Sequence, residues 1–206
     1  MTVRNALLAI LTIAPSYGLQ LAGEFRRRTG GAETIADAQV YTTLGRLERD
    51  ELIAALPKDS SGKARYQLTE AGREEASAWL AAPVPQDAPG ARDELALKVT
   101  LAATLPGVDW RRLITAQAAL ARRELAALLD SAADDVLSDV VLARRRSSLQ
   151  AELDWLAEAR SRLAAVVPFG LAPPPKRGRK PAPNRPETAE DAPAELPGEA
   201  AAAAAY

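Results

Sequence analysis

The clearest chemistry in the sequence lies in polar side chains that share one face of a short predicted helix. These side chains are Gln39, Thr42, Thr43, Arg46 and Arg49. Glutamine can pair bidentately with adenine and arginine with guanine, while threonine offers base edges a methyl group and a hydroxyl. The opposite face carries Val40, Leu44 and Leu47 at positions i, i+4 and i+7, a spacing that anchors a helix in a core. The pattern predicts a recognition helix for the major groove of double-stranded DNA.

A polar turn between two short apolar runs supports the same interpretation. Leu52–Leu56 and Arg65–Leu68 flank a segment rich in Ser and Gly, which predicts a two-stranded hairpin. Lys58, Lys63 and Arg65 would lie at or beside its tip, within reach of phosphates. Polar helix faces and basic hairpins are often only solvated, so periodicity alone leaves an ordinary surface as the alternative.

The composition excludes several other classes of site. The 206 residues include neither cysteine nor histidine, which removes disulfides, thiolate and imidazole metal ligands and histidine-based nucleophile pairs. No carboxylates stand at a recognisable catalytic spacing, and no glycine-rich phosphate loop precedes a helix. We therefore expect neither an enzyme nor a bound cofactor. The net charge of −1 gives no bulk attraction to nucleic acid, so binding must depend on a local surface.

Residues that cap helices, together with the prolines and glycines that end them, predict the elements that position these side chains. Residues 1–82 predict helix, helix, helix, hairpin and helix, the order of a winged helix-turn-helix domain. The predicted helices run from Thr2 to Ala14, from a cap at Ser16 to Arg28, from a cap at Asp37 to Asp50, and from a cap at Thr69 to Pro83. The fold class is therefore mainly α with a small β-hairpin. The apolar run in the first helix is too short to cross a bilayer.

The second half of the chain predicts a linker, a helical domain and a tail. Residues 83–91 are the linker, and residues 92–168 contain three helical patterns that form a dimerisation or effector domain. In the last pattern leucine recurs every seven residues, which favours pairing with a partner helix. The leucines assigned to dimerisation are Leu142, Leu149, Leu153, Leu156 and Leu163. Residues 169–206 are rich in Pro and Ala and predict a disordered tail.

Two weaker signals leave alternatives open. Trp79, Trp110 and Trp155 could line an effector pocket, although core packing is the commoner use of tryptophan. The tail contains the basic run 176–180, whose Arg177-Gly178-Arg179 centre resembles a minor-groove AT-hook. A generic basic segment is the alternative interpretation of this run.

From Ala6 to Trp79 the sequence resembles the PadR family of bacterial transcription regulators. The matching runs are ALLAILTIAPSYGLQLAGEF, AQVYTTLGRLERDELI and RYQLTEAGREEASAWL, and RDELALKVTLAATLP resembles the start of the family's helical C-terminal domain. The resemblance implies that Ser16 and Tyr17 contact phosphate and that Tyr41 lies near the DNA. Two positions depart from the family pattern: Thr42 replaces a frequent proline, and Glu51 replaces the glycine that usually ends the recognition helix.

The resemblance also implies how such a protein works. It suggests a cytoplasmic homodimer, nucleoid-associated when bound, that represses at a pseudo-palindromic operator and is relieved by a small-molecule effector or a stress signal. The alternative is a winged-helix module for protein interaction that has lost DNA binding, since a fold does not fix a function.

Overall fold

The structure, a computed structural model, describes residues 2–32, 34–86 and 90–174 and shows a mainly helical chain with one β-hairpin, as predicted. The elements are α1 (Thr2–Leu11), α2 (Gly18–Arg28), α3 (Asp37–Arg49), β1 (Ile53–Ala55), β2 (Tyr66–Leu68), α4 (Glu70–Ala81), α5 (Ala91–Thr104), α6 (Trp110–Asp130) and α7 (Val136–Leu163). None of the helices in these ranges is long and apolar enough to span a membrane.

In the N-terminal half, α2, α3, the hairpin and α4 all pack around α1. Residues 6–11 of α1 are all buried, and all of them except Ala9 share one apolar cluster with Leu21 and Phe25 of α2, Leu44 of α3 and Ala76 of α4. The strands β1 and β2 are antiparallel, with Ile53 opposite Leu68. This cluster fixes the position of α3.

The caps at the ends of these helices agree with the sequence only in part. Thr69 caps α4 as predicted, because its Oγ1 accepts a hydrogen bond from the N–H of Gly72. Ser16 and Asp37 do not cap: the residues at the cap positions are Tyr17 and Ala36, and neither makes a side-chain cap hydrogen bond. Asp37 lies instead in the first turn of α3, where its negative charge still favours the helix dipole.

Two backbone positions near the hairpin depend on residue size or conformation. A Cβ on Gly72 would overlap the carbonyl oxygen of Leu52, so this position in α4 requires glycine. Glu51, just past α3, adopts φ 59°, the left-handed conformation that glycine accepts most readily. The N–H of Leu52 then bonds the carbonyl of Leu47 at 2.9 Å and closes the helix end. The chain thus keeps the usual backbone without the usual glycine.

Helices α6 and α7 form an antiparallel pair in the C-terminal half. Arg146 of α7 donates to the carbonyl of Leu128 near the end of α6, and Glu152 further along α7 accepts from Gln117 near the start of α6. A second apolar cluster joins this pair to α5 and to the end of α4. It includes Trp110 and Leu156.

Four of the five leucines assigned to dimerisation are buried or packed within this chain. Leu149 and Leu156 are buried within the chain, and Leu142, Leu153 and Leu163 are half-buried. Leu153 and Leu163 also pack against the second cluster. A heptad stripe shows that residues share a helix face, but it cannot distinguish a partner chain from a neighbouring helix of the same chain. The buried leucines of this stripe are therefore not a free dimerisation surface.

The predicted disordered tail begins too early at residue 169. Residues 169–172 lie along α2, and Leu171 packs against the first cluster. The low apolar content of the whole tail concealed this short segment, which we call the strap; its backbone bonds side chains of α2 and the carbonyl of Thr104 in α5. The remainder of the predicted tail, from residue 175, lies outside the described residues.

Candidate nucleic-acid interface

Helix α3 turns its polar face outward and its apolar face inward, as its spacing predicts. Val40, Leu44 and Leu47 are completely buried. On the other side Gln39, Tyr41, Thr42, Arg46 and Arg49 are exposed, and Thr43 is half-buried. We refer to these six polar residues as the α3 face. Their chemistry is that of base-edge readout, with an amide, two hydroxyls, a phenol and two guanidinium groups on one surface.

The threonines of the α3 face donate their hydroxyl protons within the helix. Thr42 bonds the carbonyl of Ala38 at 2.9 Å, and Thr43 bonds the carbonyl of Gln39 at 2.8 Å. Each oxygen retains acceptor capacity and each methyl group stays free for apolar contact. These two residues can therefore accept from an adenine or cytosine amino group, or contact a thymine methyl.

Close packing of α2 on α3 fixes the position of Tyr41. A Cβ on Gly18 would lie 2.7 Å from the Tyr41 ring, closer than any real side-chain contact. The tyrosine remains 48% exposed, so one side of its ring packs against α2 while the rest faces solvent. Gly45, in contrast, has nothing within 4 Å of its Cβ position and leaves a flat, open strip in the middle of the helix.

Asp59 organises the turn of the β-hairpin. One of its carboxylate oxygens accepts bonds from the N–H and Oγ of Ser61 and from the N–H of Lys63. The other accepts from the Tyr17 hydroxyl at 2.6 Å. These bonds, that of Tyr17 foremost, hold the pKa of Asp59 far below its usual value, and the same bond raises the pKa of Tyr17. The turn therefore has a defined shape and presents Lys58 and Lys63 to solvent.

The two residues expected to contact phosphate at the start of α2 lie in different environments. Ser16 is fully buried: its backbone pairs with Tyr66 of β2, and its hydroxyl donates to the carbonyl of Ala14. Its side chain therefore cannot reach a ligand, and this expectation is corrected. The half-buried Tyr17 is tied to Asp59, so it connects the start of α2 to the hairpin turn.

Of the other residues predicted to contact DNA, three are exposed and three lie outside the described residues. Lys58 and Lys63 are exposed on the hairpin, and Arg65 is exposed beside them. Arg177, Gly178 and Arg179 lie outside the described residues.

The three tryptophans do not form a common pocket. Trp110 is buried in the second cluster, and Trp79 donates its Nε1 hydrogen to Glu94 at 2.8 Å while Lys98 stacks on its ring. Lys98 is almost fully buried, and this burial lowers its pKa. Trp155 instead lines a cavity of about 290 Å³ between α5 and α7.

Sequence reasoning missed a buried polar cluster on α2. Glu24 and Arg28 are 1% and 2% exposed, and their side chains pair at 3.0 Å. The i, i+4 spacing of opposite charges was visible in the sequence, but such pairs usually lie on the surface. Contacts with residues 169–172 and with the end of α5 turn this pair into an interior one.

Comparison with known proteins gives both halves of the chain a family. Residues 7–78 match the Transcriptional regulator PadR-like family, and residues 91–164 match the Virulence activator alpha C-term family. A curated relative, "Probable transcriptional regulator Rv1176c" of Mycobacterium tuberculosis, is 31% identical over 93 residues, which are 44% of this chain and 49% of that protein. The chain thus aligns with about half the length of this relative.

Solved structures of similar proteins include two regulators. PadR of Bacillus subtilis, determined in complex with operator DNA, is 23% identical, with a TM-score of 0.37, and the match covers 81% of this chain and all of that one. The same protein was also determined with p-coumaric acid, at 20% identity and a TM-score of 0.36, over 80% of this chain and 99% of that one. The Vibrio cholerae virulence activator AphA is 19% identical, with a TM-score of 0.35, over 80% of this chain and 99% of that one.

The two family matches cover different sets of elements. The first includes the α3 face and the hairpin, and the second includes the whole of α5, α6 and α7. Residues 7–78 therefore form a winged helix-turn-helix domain of the Transcriptional regulator PadR-like family, and residues 91–164 form a helical region of the Virulence activator alpha C-term family.

Proposed function

We propose that this protein is a homodimeric repressor that reads a pseudo-palindromic operator through the α3 face. The observation that carries the proposal is the division of α3 into a buried apolar side and an exposed polar side with base-reading chemistry. One such helix makes few contacts, whereas two of them related by a two-fold axis read half-sites about one turn apart. The exposed cations of the hairpin would add phosphate contacts on either side of each half-site.

The direct test is a mobility-shift assay on the promoter region upstream of the protein's own gene. The variant Gln39→Ala with Arg46→Ala removes two base-reading groups, each worth about 1–3 kcal/mol of discrimination. We expect at least a tenfold loss of operator affinity with unchanged thermal stability. The matched control is Gln150→Ala with Arg160→Ala, which removes the same groups from exposed positions of α7. Equal affinity of parent and α3 variant for the operator would reject this mode of recognition.

For the dimer interface we propose an apolar patch at the tip of the α6–α7 pair. This tip patch consists of Leu129, Val136, Leu137, Val140 and Val141. Val136 and Leu137 are 78% and 77% exposed, and contiguous apolar surface of this kind marks an interaction site. At 100° per residue the four α7 members are centred about 140° from the buried leucine stripe. Helix α7 can therefore pack on α6 with one face and on a second copy with the other.

Sedimentation equilibrium tests the interface. Leu137→Asp with Val141→Asp would place carboxylates in the tip patch, and we expect monomers and weaker operator binding, because burying unpaired charge is costly. The control is Ala157→Asp with Ser161→Asp, at exposed positions in the last part of the same helix. A tip variant that dimerises as tightly as the parent would move the interface elsewhere.

For an effector site we propose the cavity between α5 and α7. It is lined by Leu95, Ala96, Ser148, Ala151, Glu152 and Trp155. Its volume of about 290 Å³ is near the lower end for small-molecule sites, and the indole offers a flat apolar wall. The carboxylate of Glu152 accepts bonds from Gln86 and Gln117, so it is held at the cavity edge. Uncharged aromatic compounds should therefore bind in preference to aromatic carboxylates.

Titration of tryptophan fluorescence with both classes of compound tests this site. Binding should change the emission of the parent and not that of Trp155→Phe, while Trp79→Phe should respond like the parent. A response that survives in Trp155→Phe would exclude the cavity.

A reporter gene under the operator tests the direction of regulation. If the protein is a repressor, expression of the reporter should be higher when the protein is absent.

A further inference from the structure

Residues 82–86 connect the winged helix-turn-helix to the C-terminal helices, and we call them the joint. Val84 lies at the centre of the joint, between Pro83 and Pro85. A proline restricts the residue before it to extended conformations and has no N–H of its own. Val84 therefore offers the only backbone donor of residues 83–85, and its choice of conformations is already narrow in the unfolded chain.

A buried glutamine of α6 binds both backbone groups of Val84. The N–H of Val84 donates to Oε1 of Gln117 at 2.7 Å, and Nε2 of Gln117 donates to the carbonyl of Val84 at 2.9 Å. Gln117 is 1% exposed and Val84 is 4% exposed. The side-chain amide thereby pairs with the joint as a residue of a neighbouring antiparallel strand would, which fixes the joint in register as well as in distance.

The other two C-terminal helices hold the two ends of the joint. Lys98 of α5 donates to the carbonyl of Ala82 at 2.9 Å. Glu152 of α7 accepts from the side chain of Gln86 and, at 2.8 Å, from that of Gln117. Each of α5, α6 and α7 thus contributes one polar side chain to the joint, and we call these three side chains, Lys98, Gln117 and Glu152, the clamp.

Apolar packing around the joint does not by itself define an angle. Helix α5 takes part in both apolar clusters, with Leu97 and Leu101 in the first and Leu95 and Val99 in the second. Burial of apolar surface is non-directional, so packed helices can slide and turn slightly against each other. The hydrogen bonds of the clamp are directional and weaken steeply when their geometry changes. At the joint it is therefore the clamp that sets the angle of the α6–α7 pair.

The proposed dimer interface lies far from the clamp along the α6–α7 pair. Gln117 is near the start of α6 and Leu129 near its end, while Leu137 is near the start of α7 and Glu152 well beyond its middle. At 1.5 Å per residue, the two members of each helix lie about 18 and 22 Å apart. A rotation of about 10° at the clamp would therefore move the tip patch by about 3–4 Å, which is close to the rise of one base pair.

We propose that Gln117 is a positioning residue for operator recognition: through the joint it fixes the distance between the two α3 faces of the dimer, and hence the half-site spacing that the dimer reads. This inference rests on the proposed function, because spacing matters only to a dimer that binds through α3. The distance between half-sites mirrors the geometry of the dimer that reads them. Gln117 thus contributes to specificity through the joint and not through a base.

The test compares the affinities of full-length parent and variant dimers for operators of different spacing. The duplexes carry the half-sites of the parent's own operator, separated by the natural number of base pairs or by one or two more or fewer. The variant Gln117→Leu removes the bonds to Val84 and keeps most of the side-chain volume. We expect the parent to prefer the natural spacing by at least about tenfold and Gln117→Leu by about threefold or less, because a misplaced half-site loses the second α3 contact.

A second variant loosens the joint without removing a buried side chain. Pro85 is exposed, and Pro85→Ala lifts the restriction on Val84. We expect a spacing preference between those of the parent and Gln117→Leu. The control is Ile10→Val, which removes a methylene group from the buried side of α1 and lowers stability away from the clamp. A merely structural residue would behave like this control, with the spacing preference unchanged.

A distance measurement reports directly on the joint. The chain contains no cysteine, so Ser77→Cys at an exposed position of α4 gives each protomer a single site for a spin label. The distance between the two labels of the free dimer should have a narrow distribution in the parent background and a broader one with Gln117→Leu. Sedimentation equilibrium on the same samples establishes that both are dimers.

The outcomes distinguish this inference from the proposed function. If the parent prefers one spacing and a folded, dimeric Gln117→Leu keeps that preference, Gln117 does not position the α3 faces and the proposed function stands. If Gln117→Leu does not fold, an unchanged preference in Pro85→Ala overturns the inference in the same way. A parent that binds all spacings equally also overturns it. If the parent is a monomer or binds no duplex from its own promoter region, both proposals fail.

Discussion

Helices α2 and α3 both carry a polar face, yet only one of these faces meets solvent. On α3 the residues around Arg46 are exposed, and the Cβ position of Gly45 opens onto free space. On α2 the corresponding surface, from Gln20 to Arg28, is largely covered by the strap and its polar groups are bonded to it. The comparison teaches that a polar face identifies a surface with binding capacity and does not identify its partner.

The largest expected difference between the two helices concerns their arginines. Arg28→Ala would leave Glu24 with only the partly exposed Arg27 as its cation and would remove the bonds of Arg28 to three carbonyls, so we expect a loss near the lower end of the about 3–5 kcal/mol that breaking a buried pair costs. Arg46→Ala on the open face should change stability by less than about 0.5 kcal/mol. Urea unfolding of both variants measures the contrast. Equal costs would mean that the α2 face is as solvated as the α3 face.

Removing the aromatic ring of the strap should have a smaller effect. Phe169→Ala removes two cation–π interactions and the packing of the ring, for a combined cost of about 1–2 kcal/mol. Val167→Ala, at an exposed position two residues earlier, is the control and should cost little. Thermal unfolding compares them, and equal losses would show that the strap adds nothing to stability.

Glycine substitutions sharpen the same contrast at lower energy. Gly45→Ala on the open side of α3 meets no atom, so the higher helix propensity of alanine should stabilise the fold by up to about 1 kcal/mol. Gly18→Ala should destabilise it by about 1–2 kcal/mol, because the Tyr41 ring must move. Opposite signs in urea unfolding confirm the difference; two stabilising changes would place Tyr41 away from α2.

The smallest expected effect is at the hairpin, where the N-terminal end of α2 meets Asp59. Because the folded pKa of Asp59 is depressed, its contribution to stability is present above the ordinary aspartate value of about 3.9 and is lost as pH falls through the folded pKa. Tyr17→Phe removes the leading cause, so the titration midpoint of Asp59, followed by carboxyl ¹³C NMR, should rise. Tyr66→Phe is the control and should leave the midpoint in place; an unmoved midpoint in Tyr17→Phe would show that the Tyr17 bond does not set this pKa.

Much of the N-terminal half was predictable from local rules. The spacing of Val40, Leu44 and Leu47 identified the buried side of α3, and Thr69 identified the start of α4, because periodicity and capping act over a few residues. Ser16 was misassigned because its backbone pairs with Tyr66, which lies far away along the chain. Rules that consider only neighbouring residues cannot predict a contact between residues so far apart in the sequence.

In the C-terminal half the sequence identified the helices but not the partners of their faces. The leucine stripe of α7 was correctly grouped, yet α6 of the same chain covers it, while the less regular Val136, Leu137, Val140 and Val141 remain open. Composition likewise predicted a disordered tail from residue 169 and so overlooked Leu171 and its neighbours. That segment is stabilised by contacts with α2, and the average composition of the tail cannot predict such contacts.

By itself the sequence determined the helices, the hairpin, the residues that share each face and the resemblance to a regulator family, because these depend on the order of neighbouring residues. The tertiary structure alone decided which faces are covered: α7 against α6, Ser16 under β2, and Glu24 with Arg28 beneath the strap. The physical reason is that burial is a property of pairs of surfaces, and the second surface lies far away along the chain.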